Sequence, residues 1–185
     1  MQISLIILDF DGTLADTEKA HLEAYILALG EEGITLSPEE YRTRYFGMRC
    51  PEFMRALGLT DEAQIDRVRR RKIELYPTRF ESIALNKPLW DFVQSSRQNG
   101  CRVWIASTGQ RENICNAMRH LGIEGMVDGV LTSDDVVSPK PSPDVFLKAM
   151  QIEGVTPAET LIFEDSAIGL EAARASGASY FKVKL

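Results

Sequence analysis

Short apolar runs alternate with stretches of helical spacing along most of this 185-residue chain. The stretches between the runs repeat apolar residues at intervals of three and four, as helices with one buried face do. Strand, helix and strand with short connections predict a parallel sheet covered by helices on both faces. The predicted strands are Ile3–Leu8, Arg102–Ser107, Val130–Thr132, Thr160–Phe163 and Ser179–Val183.

Four helices are predicted between the later strands, and a glycine stands where each should stop. They span Pro88–Asn99, Arg111–Leu121, Pro143–Ile152 and Ile168–Ser176, before Gly100, Gly122, Gly154 and Gly177. Residues 16–80 contain helical patterns and no convincing strand. We therefore predict an α/β fold: a doubly wound, Rossmann-like parallel sheet from residues 1–15 and 81–185, with an all-helical domain of residues 16–80 inserted after the first strand.

The net charge and the cysteine content restrict where the protein is expected to be located and what it is expected to bind. The formal net charge of −6 does not suit a general nucleic-acid binder. The three cysteines form no C-x-x-C pair, which argues against a structural zinc site and favours a reducing compartment. The opening apolar run ends at Asp9 without a basic flank, unlike a signal peptide or membrane span. We expect a cytoplasmic protein without nucleic-acid or membrane partners, as a monomer or weak homo-oligomer.

Carboxylates and a hydroxyl follow the predicted strands at their carboxyl ends. Asp9 and Asp11 follow the first strand, Ser107 ends the second, and Glu164 with Asp165 follows a late strand. In an open parallel sheet these ends meet at one rim, where ligands bind. Clustered carboxylates repel one another unless they are protonated or bind a cation, and oxygen ligands suit Mg²⁺. The sequence therefore predicts a Mg²⁺ site whose shell a phosphoryl group completes.

Two local patterns also have purely structural interpretations. A D-x-D pair alone is typical of a turn or a helix cap, but three further polar strand ends favour a functional site here. Lys140 stands between Pro139 and Pro141, so a stiff extended segment presents its side chain. Pro143 is explained by the start of the next helix, whereas Lys140 is not.

Four stretches resemble, in order, the four motifs of the haloacid dehalogenase-like (HAD) superfamily, in its branch of phosphatases and phosphomutases with a helical cap. They are Asp9-Phe10-Asp11-Gly12-Thr13 for D-x-D-G-T, Ser107, Lys140 within K-P-x-P-D-x-F, and Phe163-Glu164-Asp165-Ser166. Any one motif is weak, but four in the right order are highly specific. Asp16-Thr17-Glu18 with His21 further resembles the β-phosphoglucomutase-like subgroup.

The resemblance implies a role for each motif residue. Asp9 would attack phosphorus to form an aspartyl-phosphate, while Asp11 would protonate the leaving alcohol and then activate water. Lys140 would neutralise the phosphoryl oxygens, since phosphoryl transfer asks mainly for positioning and charge neutralisation. Ser107 and the amides around Gly12 and Thr108 would hydrogen-bond the phosphoryl group. Mg²⁺ would be held by the Asp9 carboxylate, the Asp11 main-chain carbonyl and Asp165, with Glu164 nearby.

The same resemblance implies substrate contacts from the inserted domain, at Thr17, His21, Arg49 and Lys72. Lys72 interrupts an otherwise apolar helical stripe that continues to Tyr76, so an anion is expected near it. Lys72 could instead extend from the edge of that stripe into solvent. His21 could equally be a packed or capping residue.

The resulting function hypothesis is a Mg²⁺-dependent phosphatase of a small phosphorylated metabolite, with a sugar phosphate as the candidate. A hexose-phosphate mutase is the nearest rival, because it differs only in protecting the aspartyl-phosphate from water. A phosphonate hydrolase would need a Schiff-base lysine in the cap, a role for which Lys72 is poorly suited. A receiver-like signalling module places its phospho-accepting aspartate on a middle strand, where this chain has Ser107. A catalytically silent binding relative is the remaining non-enzyme alternative.

Overall fold

The structure is a computed structural model that describes residues 2–185. It divides into two compact units, one of residues 2–16 with Ala84–Leu185 and one of Thr17–Ile83. The sequence predicted a core of residues 1–15 and 81–185 and an inserted domain of residues 16–80. We call the first unit the core unit and the second the helical unit.

The strands lie almost entirely where apolar runs predict them. In chain order they are β1 Leu5–Leu8, β2 Ala15–Asp16, β3 Ala84–Leu85, β4 Arg102–Ala106, β5 Gly129–Leu131, β6 Thr160–Glu164 and β7 Ser179–Lys182. Five of them form one sheet in the order β5-β4-β1-β6-β7, and every neighbouring pair is parallel. The predicted doubly wound sheet is confirmed. The two-residue strands β2 and β3 pair antiparallel with each other and were not predicted.

The central strand explains why the first apolar run is uninterrupted. Leu5 and Ile7 pack into a cluster with buried residues of α7 and α8, while Ile6 and Leu8 on the opposite face of β1 are also buried. A strand covered on both faces needs apolar residues at every position. The order of the strands reverses on either side of β1, and in such sheets the carboxyl end of the reversal strand faces the ligand site.

Both units contain several helices, and the four that the sequence predicts in the core unit end within one residue of their predicted ends. In chain order they are α1 Glu18–Glu31, α2 Pro38–Glu40, α3 Cys50–Ala56, α4 Glu62–Leu75, α5 Lys87–Gln98, α6 Arg111–His120, α7 Asp144–Glu153 and α8 Ala167–Ala175. A π-helical turn, Tyr41–Tyr45, continues α2, and three 3-10 segments are Tyr76–Ser82, Ser133–Asp135 and Pro157–Glu159. No helix among residues 2–185 is both long and apolar enough to cross a membrane.

The helical unit has its own core. Tyr25 of α1, Phe53 of α3 and Val68 of α4 belong to one buried cluster. The arginines of α4 lie on the opposite, solvated side, where Arg67 pairs with Glu32 and Arg71 with Glu31. Exposed pairs of this kind contribute little to stability, so burial of the aromatic cluster is what holds the unit together.

Candidate active site

A tight loop follows β1 and carries the first two carboxylates. The Asp9 backbone N–H donates to the Phe163 carbonyl at 2.9 Å, which ties the loop to β6. The Gly12 N–H then donates to the Ala15 carbonyl at 2.8 Å, so the chain turns back on itself within a few residues. Asp9 is buried and Asp11 is half-buried. The loop therefore presents Asp9 at the carboxyl end of the central strand.

Gly12 is required for this turn for two physical reasons. Its φ of 86° lies in the left-handed region that side chains disfavour. A Cβ at this position would also overlap Asp165 Oδ2. Glycine thus lets the loop backbone approach the Asp165 carboxylate directly.

Lys140 is the centre of the cluster. Its ammonium donates to Asp9 Oδ1 at 2.7 Å, to Glu164 Oε1 at 2.9 Å and to the Ala106 main-chain carbonyl at 2.9 Å. The side chain is 1% exposed. Three acceptors from the ends of β1, β4 and β6 therefore use all three protons of one buried ammonium.

Glu164 is fully buried, and hydrogen bonds occupy both of its oxygens. Oε1 accepts from Lys140, and Oε2 accepts from the Ser166 backbone N–H at 2.7 Å. A Cβ on Gly169 of α8 would overlap Oε1, so only glycine lets the helix approach this carboxylate. Glu164 is thus held in place to orient Lys140.

Asp165 lies beside this pair and is more accessible. The Thr13 hydroxyl donates to its Oδ1 at 2.9 Å. Ligand atoms of Asp9, Glu164 and Asp165 all lie within 4.8 Å of one another, close enough to hold one metal ion. Because both Glu164 oxygens are already engaged, the Asp9 and Asp165 carboxylates are better placed than Glu164 to act as direct ligands.

The electrostatics of the cluster follow from two buried carboxylates, Asp9 and Glu164, and the half-buried Asp165 near one cation. Burial raises the pKa of Asp9 well above its ordinary range; Lys140 opposes this rise, whereas the charges of Glu164 and Asp165 add to it. Burial and the charge of Glu164 raise the pKa of Asp165 to about 6. Burial alone would lower the pKa of Lys140, but Asp9 and Glu164 raise it, so the ammonium stays charged. The cluster therefore carries excess negative charge that a proton or a metal cation can compensate.

Ser107 follows β4 and is buried. Its backbone N–H donates to the Leu131 carbonyl at 3.0 Å, and its hydroxyl accepts from the Gly109 N–H at 2.9 Å. These bonds fix the hydroxyl in the loop that also contains Thr108. Because Lys140 binds the neighbouring Ala106 carbonyl, Ser107 lies at the same rim of the sheet as the carboxylates.

The candidate residues of the helical unit form a second group. Lys72 is 4% exposed, and its ammonium lies 4.2 Å from the ring centroid of Tyr76 and 5.3 Å from that of Tyr25. The ring of His21 stacks on the ring of Tyr76, with the ring centroids 4.2 Å apart. The Thr17 carbonyl accepts from the His21 N–H in the first turn of α1. Lys72 is thus an enclosed cation on an aromatic surface and does not extend into solvent.

The predicted site residues therefore fall into two clusters, each within its own unit. Asp9, Lys140, Glu164 and Asp165 meet at one end of the sheet, and His21 meets Lys72 through Tyr76. Arg49 precedes α3, where its guanidinium lies 3.7 Å from Glu52.

Three supporting residues were not predicted: Thr13 on Asp165, Ser166 on Glu164, and Tyr76 between His21 and Lys72. Thr13 and Ser166 lie inside the motifs, so their position beside the carboxylates is the sequence signal for these contacts. The helical stripe that contains Lys72 continues to Tyr76, but no sequence pattern indicates that His21 stacks on the same ring.

Comparison with known proteins places these features in a family context. The family model described as haloacid dehalogenase-like hydrolase matches residues 6–183. Fructose-1-phosphate phosphatase YqaB of Escherichia coli is 32% identical over 183 residues, covering 97% of this chain and 96% of that protein. The phosphorylated carbohydrates phosphatase of Thermotoga maritima is 30% identical over 181 residues, covering 93% of this chain and 81% of that protein. The crystal structure of CbbY from Rhodobacter sphaeroides with xylulose-(1,5)-bisphosphate has a TM-score of 0.87 at 28% identity, covering 97% and 85% of the two chains.

Proposed function

The chain belongs to the haloacid dehalogenase-like hydrolases and is a phosphatase of phosphorylated metabolites, and from this premise we propose that Asp9 is its nucleophile and a sugar phosphate its substrate. The match to the family model confirms the family that the four motifs indicate. The observation that carries the proposal is the buried Lys140 ammonium between Asp9 Oδ1 and Glu164 Oε1, at the carboxyl end of the central strand. Phosphoryl transfer needs such a fixed positive charge beside the attacking oxygen.

The proposed reaction has two steps. An Asp9 oxygen attacks phosphorus, a new phosphorus–oxygen bond forms, and the ester bond to the leaving alcohol breaks as Asp11 donates a proton to that alcohol. Asp11, now ionised, takes a proton from water, which attacks the phosphorus of the aspartyl-phosphate. Inorganic phosphate leaves and the Asp9 carboxylate is restored. Two carboxylates with different burial thus have different tasks.

The phosphoryl oxygens need donors as well as charge. We propose that Lys140 and the Ser107 hydroxyl bind them, together with backbone N–H groups around Gly12 and Thr108. Ser107 is buried and its hydroxyl is fixed by the Gly109 N–H, whereas Lys140, whose three protons already have acceptors, would exchange one of them for a phosphoryl oxygen. Glu164 acts through Lys140, because its two oxygens are engaged by Lys140 and Ser166.

The carboxylate cluster fits Mg²⁺. Its donors are oxygens only, their negative charge exceeds that of the one ammonium, and their ligand atoms lie within 4.8 Å of one another. We propose that Asp9, Asp165 and the Asp11 main-chain carbonyl hold the ion, with Glu164 behind them. Bound there, Mg²⁺ would supply positive charge to the transferring phosphoryl group.

Mg²⁺ is expected to raise the Tm of the protein, since binding only to the folded state stabilises it by about 2.7 kcal/mol at 100 times the Kd. The gain should be larger above pH 6 than below it, because the pKa of Asp165 is raised to about 6 and the ion binds the ionised carboxylate. Without Mg²⁺ the dependence of stability on pH has the opposite sign. The Asp165 carboxyl has a higher pKa in the folded protein than in the unfolded one, so it stabilises the fold most at low pH. The free energy of unfolding therefore falls as the pH rises from 3.8 towards 6.

Thermal unfolding with and without Mg²⁺, across this pH range, measures both effects. Asp165→Ala should remove most of the Mg²⁺ dependence, whereas Asp91→Ala, at an exposed position of α5, should preserve it. If Mg²⁺ does not change the Tm of the parent and a chelator does not reduce its activity, the metal assignment is wrong.

The helical unit is proposed to recognise the leaving group, through Lys72, His21, Arg49 and Thr17. A buried ammonium can bind a hydroxyl or a second anionic group of a sugar phosphate with little competition from water. The relatives named for fructose 1-phosphate and for phosphorylated carbohydrates support a substrate of this class.

Lys72→Ala is expected to lower kcat/KM on a sugar phosphate by about 10–10²-fold, the scale of a lost charged hydrogen bond. An aryl phosphate offers no such partner, so its kcat/KM should change little. Lys72→Met keeps the apolar stem and guards against misfolding, and Lys19→Ala, at a position 66% exposed, is the matched control. Equal losses on both substrates would assign Lys72 to structure rather than to selectivity.

The deciding experiment for the whole proposal is phosphate release from a panel of phosphomonoesters with Mg²⁺. We expect sugar phosphates to be among the best substrates. β-Glucose 1-phosphate is included, because its isomerisation without phosphate release would instead indicate a mutase. A cytoplasmic location and a monomeric or weakly oligomeric state stay predictions.

A further inference from the structure

Arg111, the first residue of α6, lies outside the four motifs and joins two loops of the proposed phosphoryl site. Its Nη2 donates to Asp135 Oδ2 at 2.6 Å and to the Val130 main-chain carbonyl at 3.2 Å. Its backbone N–H donates to Asp134 Oδ2 at 3.2 Å. One residue therefore makes three hydrogen bonds to β5 and to the 3-10 segment after it.

Both partners of this contact are close in sequence to groups that would bind phosphate. Arg111 stands four residues after Ser107, and Asp135 stands five residues before Lys140. The contact thus joins the loop after β4 to the segment that leads to Lys140. A shift of either loop would change the distance between the Ser107 hydroxyl and the Lys140 ammonium.

The segment before Lys140 is positioned by one apolar contact and several polar ones. Val136 packs against the buried cluster of β1, α7 and α8, whereas Val137 is 98% exposed. Asp135 is held from several sides: its Oδ2 also accepts from the Thr132 N–H at 2.7 Å, and its carbonyl accepts from Lys148 at 2.5 Å. Asp135 is therefore the residue through which polar contacts hold this segment, and Arg111 connects it to α6.

The Arg111–Asp135 ion pair is too exposed to contribute much to the free energy of unfolding. The side chains of Arg111 and Asp135 are 46% and 23% exposed, and such ion pairs add little to folding. Partial burial acts to raise the pKa of Asp135, but hydrogen bonds from Thr132 and Arg111 hold it below its usual value, so the carboxylate stays charged at neutral pH. Both side chains are therefore charged at neutral pH, and the hydrogen bond between them fixes their relative orientation.

We propose that Arg111 is a positioning residue that keeps Ser107 and Lys140 in register around the phosphoryl group. This inference rests on the proposed roles of those two residues. A misplacement of about 1 Å among reacting groups can cost up to about 10²-fold in rate. Because every substrate carries the phosphoryl group, loss of Arg111 should affect all substrates alike.

A matched control exists at the opposite end of the sheet. Arg97 donates from Nε and Nη2 to Asp128, each at 3.2 Å, and the two side chains are 37% and 6% exposed. Asp128 also accepts a backbone N–H, from Val103 at 2.8 Å, as Asp135 does from Thr132. Asp128 also pairs with Arg102 at 2.7 Å, so the two contacts are alike in joining an arginine to an aspartate that has further partners. Of the two arginines, Arg111 is the one at the carboxyl ends of the strands.

The test uses inorganic phosphate as a competitive inhibitor of the Mg²⁺-loaded enzyme. Arg111→Gln is expected to raise the Ki of phosphate about tenfold and to lower kcat/KM similarly on a sugar phosphate and an aryl phosphate. Arg111→Lys should restore part of both losses, since it keeps the charge but not the forked geometry. Arg97→Gln should lower Tm by a similar amount while changing the Ki less than about twofold.

Two contrary outcomes are distinguishable. If Arg111→Gln and Arg97→Gln change the Ki of phosphate equally, the positioning role is wrong and the proposed function stands. If Lys140→Ala itself leaves that Ki unchanged, the proposed phosphoryl site is wrong, and the role of Arg111 falls with it.

Discussion

Asp9→Asn is expected to abolish turnover, by at least about 10⁴-fold, because an amide is nearly isosteric with a carboxylate but a far weaker nucleophile. The fold should survive. The amide oxygen can still accept a hydrogen bond from Lys140, and removing one charge relieves repulsion from Glu164 and Asp165. Unlike a loss of stability, the defect should therefore appear without a fall in Tm.

The measurement is phosphate release together with mass spectrometry of the quenched enzyme, which detects a phosphorylated aspartate. Asp91→Asn makes the same chemical change at an exposed position of α5 and should behave like the parent. Asp11→Asn should still form the intermediate, but slowly with poor leaving groups. Phosphate release by Asp9→Asn at a rate near that of the parent would disprove the nucleophile assignment.

Lys140→Ala has the second largest expected effect. Removing one preorganised donor from a site of developing charge typically costs about 10²–10³ in kcat. The loss should be similar for sugar and aryl phosphates, since the ammonium is proposed to contact the group common to both. This uniform loss is the opposite of the pattern expected for Lys72→Ala.

The same substitution should also destabilise the protein, because it leaves the buried carboxylates of Asp9 and Glu164 without their shared cation. Breaking a buried pair typically costs about 3–5 kcal/mol. The loss in Tm should shrink in acid, where a carboxylate of the cluster protonates. Lys140→Met keeps the volume of the side chain if the alanine variant does not fold, and Lys87→Ala at an exposed position is the control. An unchanged kcat in a folded variant would contradict the role of Lys140.

Local sequence rules were sufficient for the fold class and for placing the candidate residues at one rim of the sheet. A continuous apolar run is typical of a strand buried on both faces, and β1 is such a strand. Glycine at positive φ ends helices, and Gly100, Gly122, Gly154 and Gly177 all have it. The carboxyl ends of parallel strands share one rim, so residues far apart in sequence could be assigned to one site without coordinates.

Only the tertiary structure decided which side chains of that cluster are buried and which partners they bind. Glu164 and Asp165 are neighbours in sequence, yet one is fully buried against Lys140 and Ser166 and the other binds Thr13. Likewise, Lys72 could have extended into solvent, but it lies on the rings of Tyr25 and Tyr76. The contact of Arg111 with Asp135 has no sequence pattern at all. Periodicity and turn chemistry depend on neighbours along the chain, whereas burial and hydrogen-bond partners depend on which distant segments pack together.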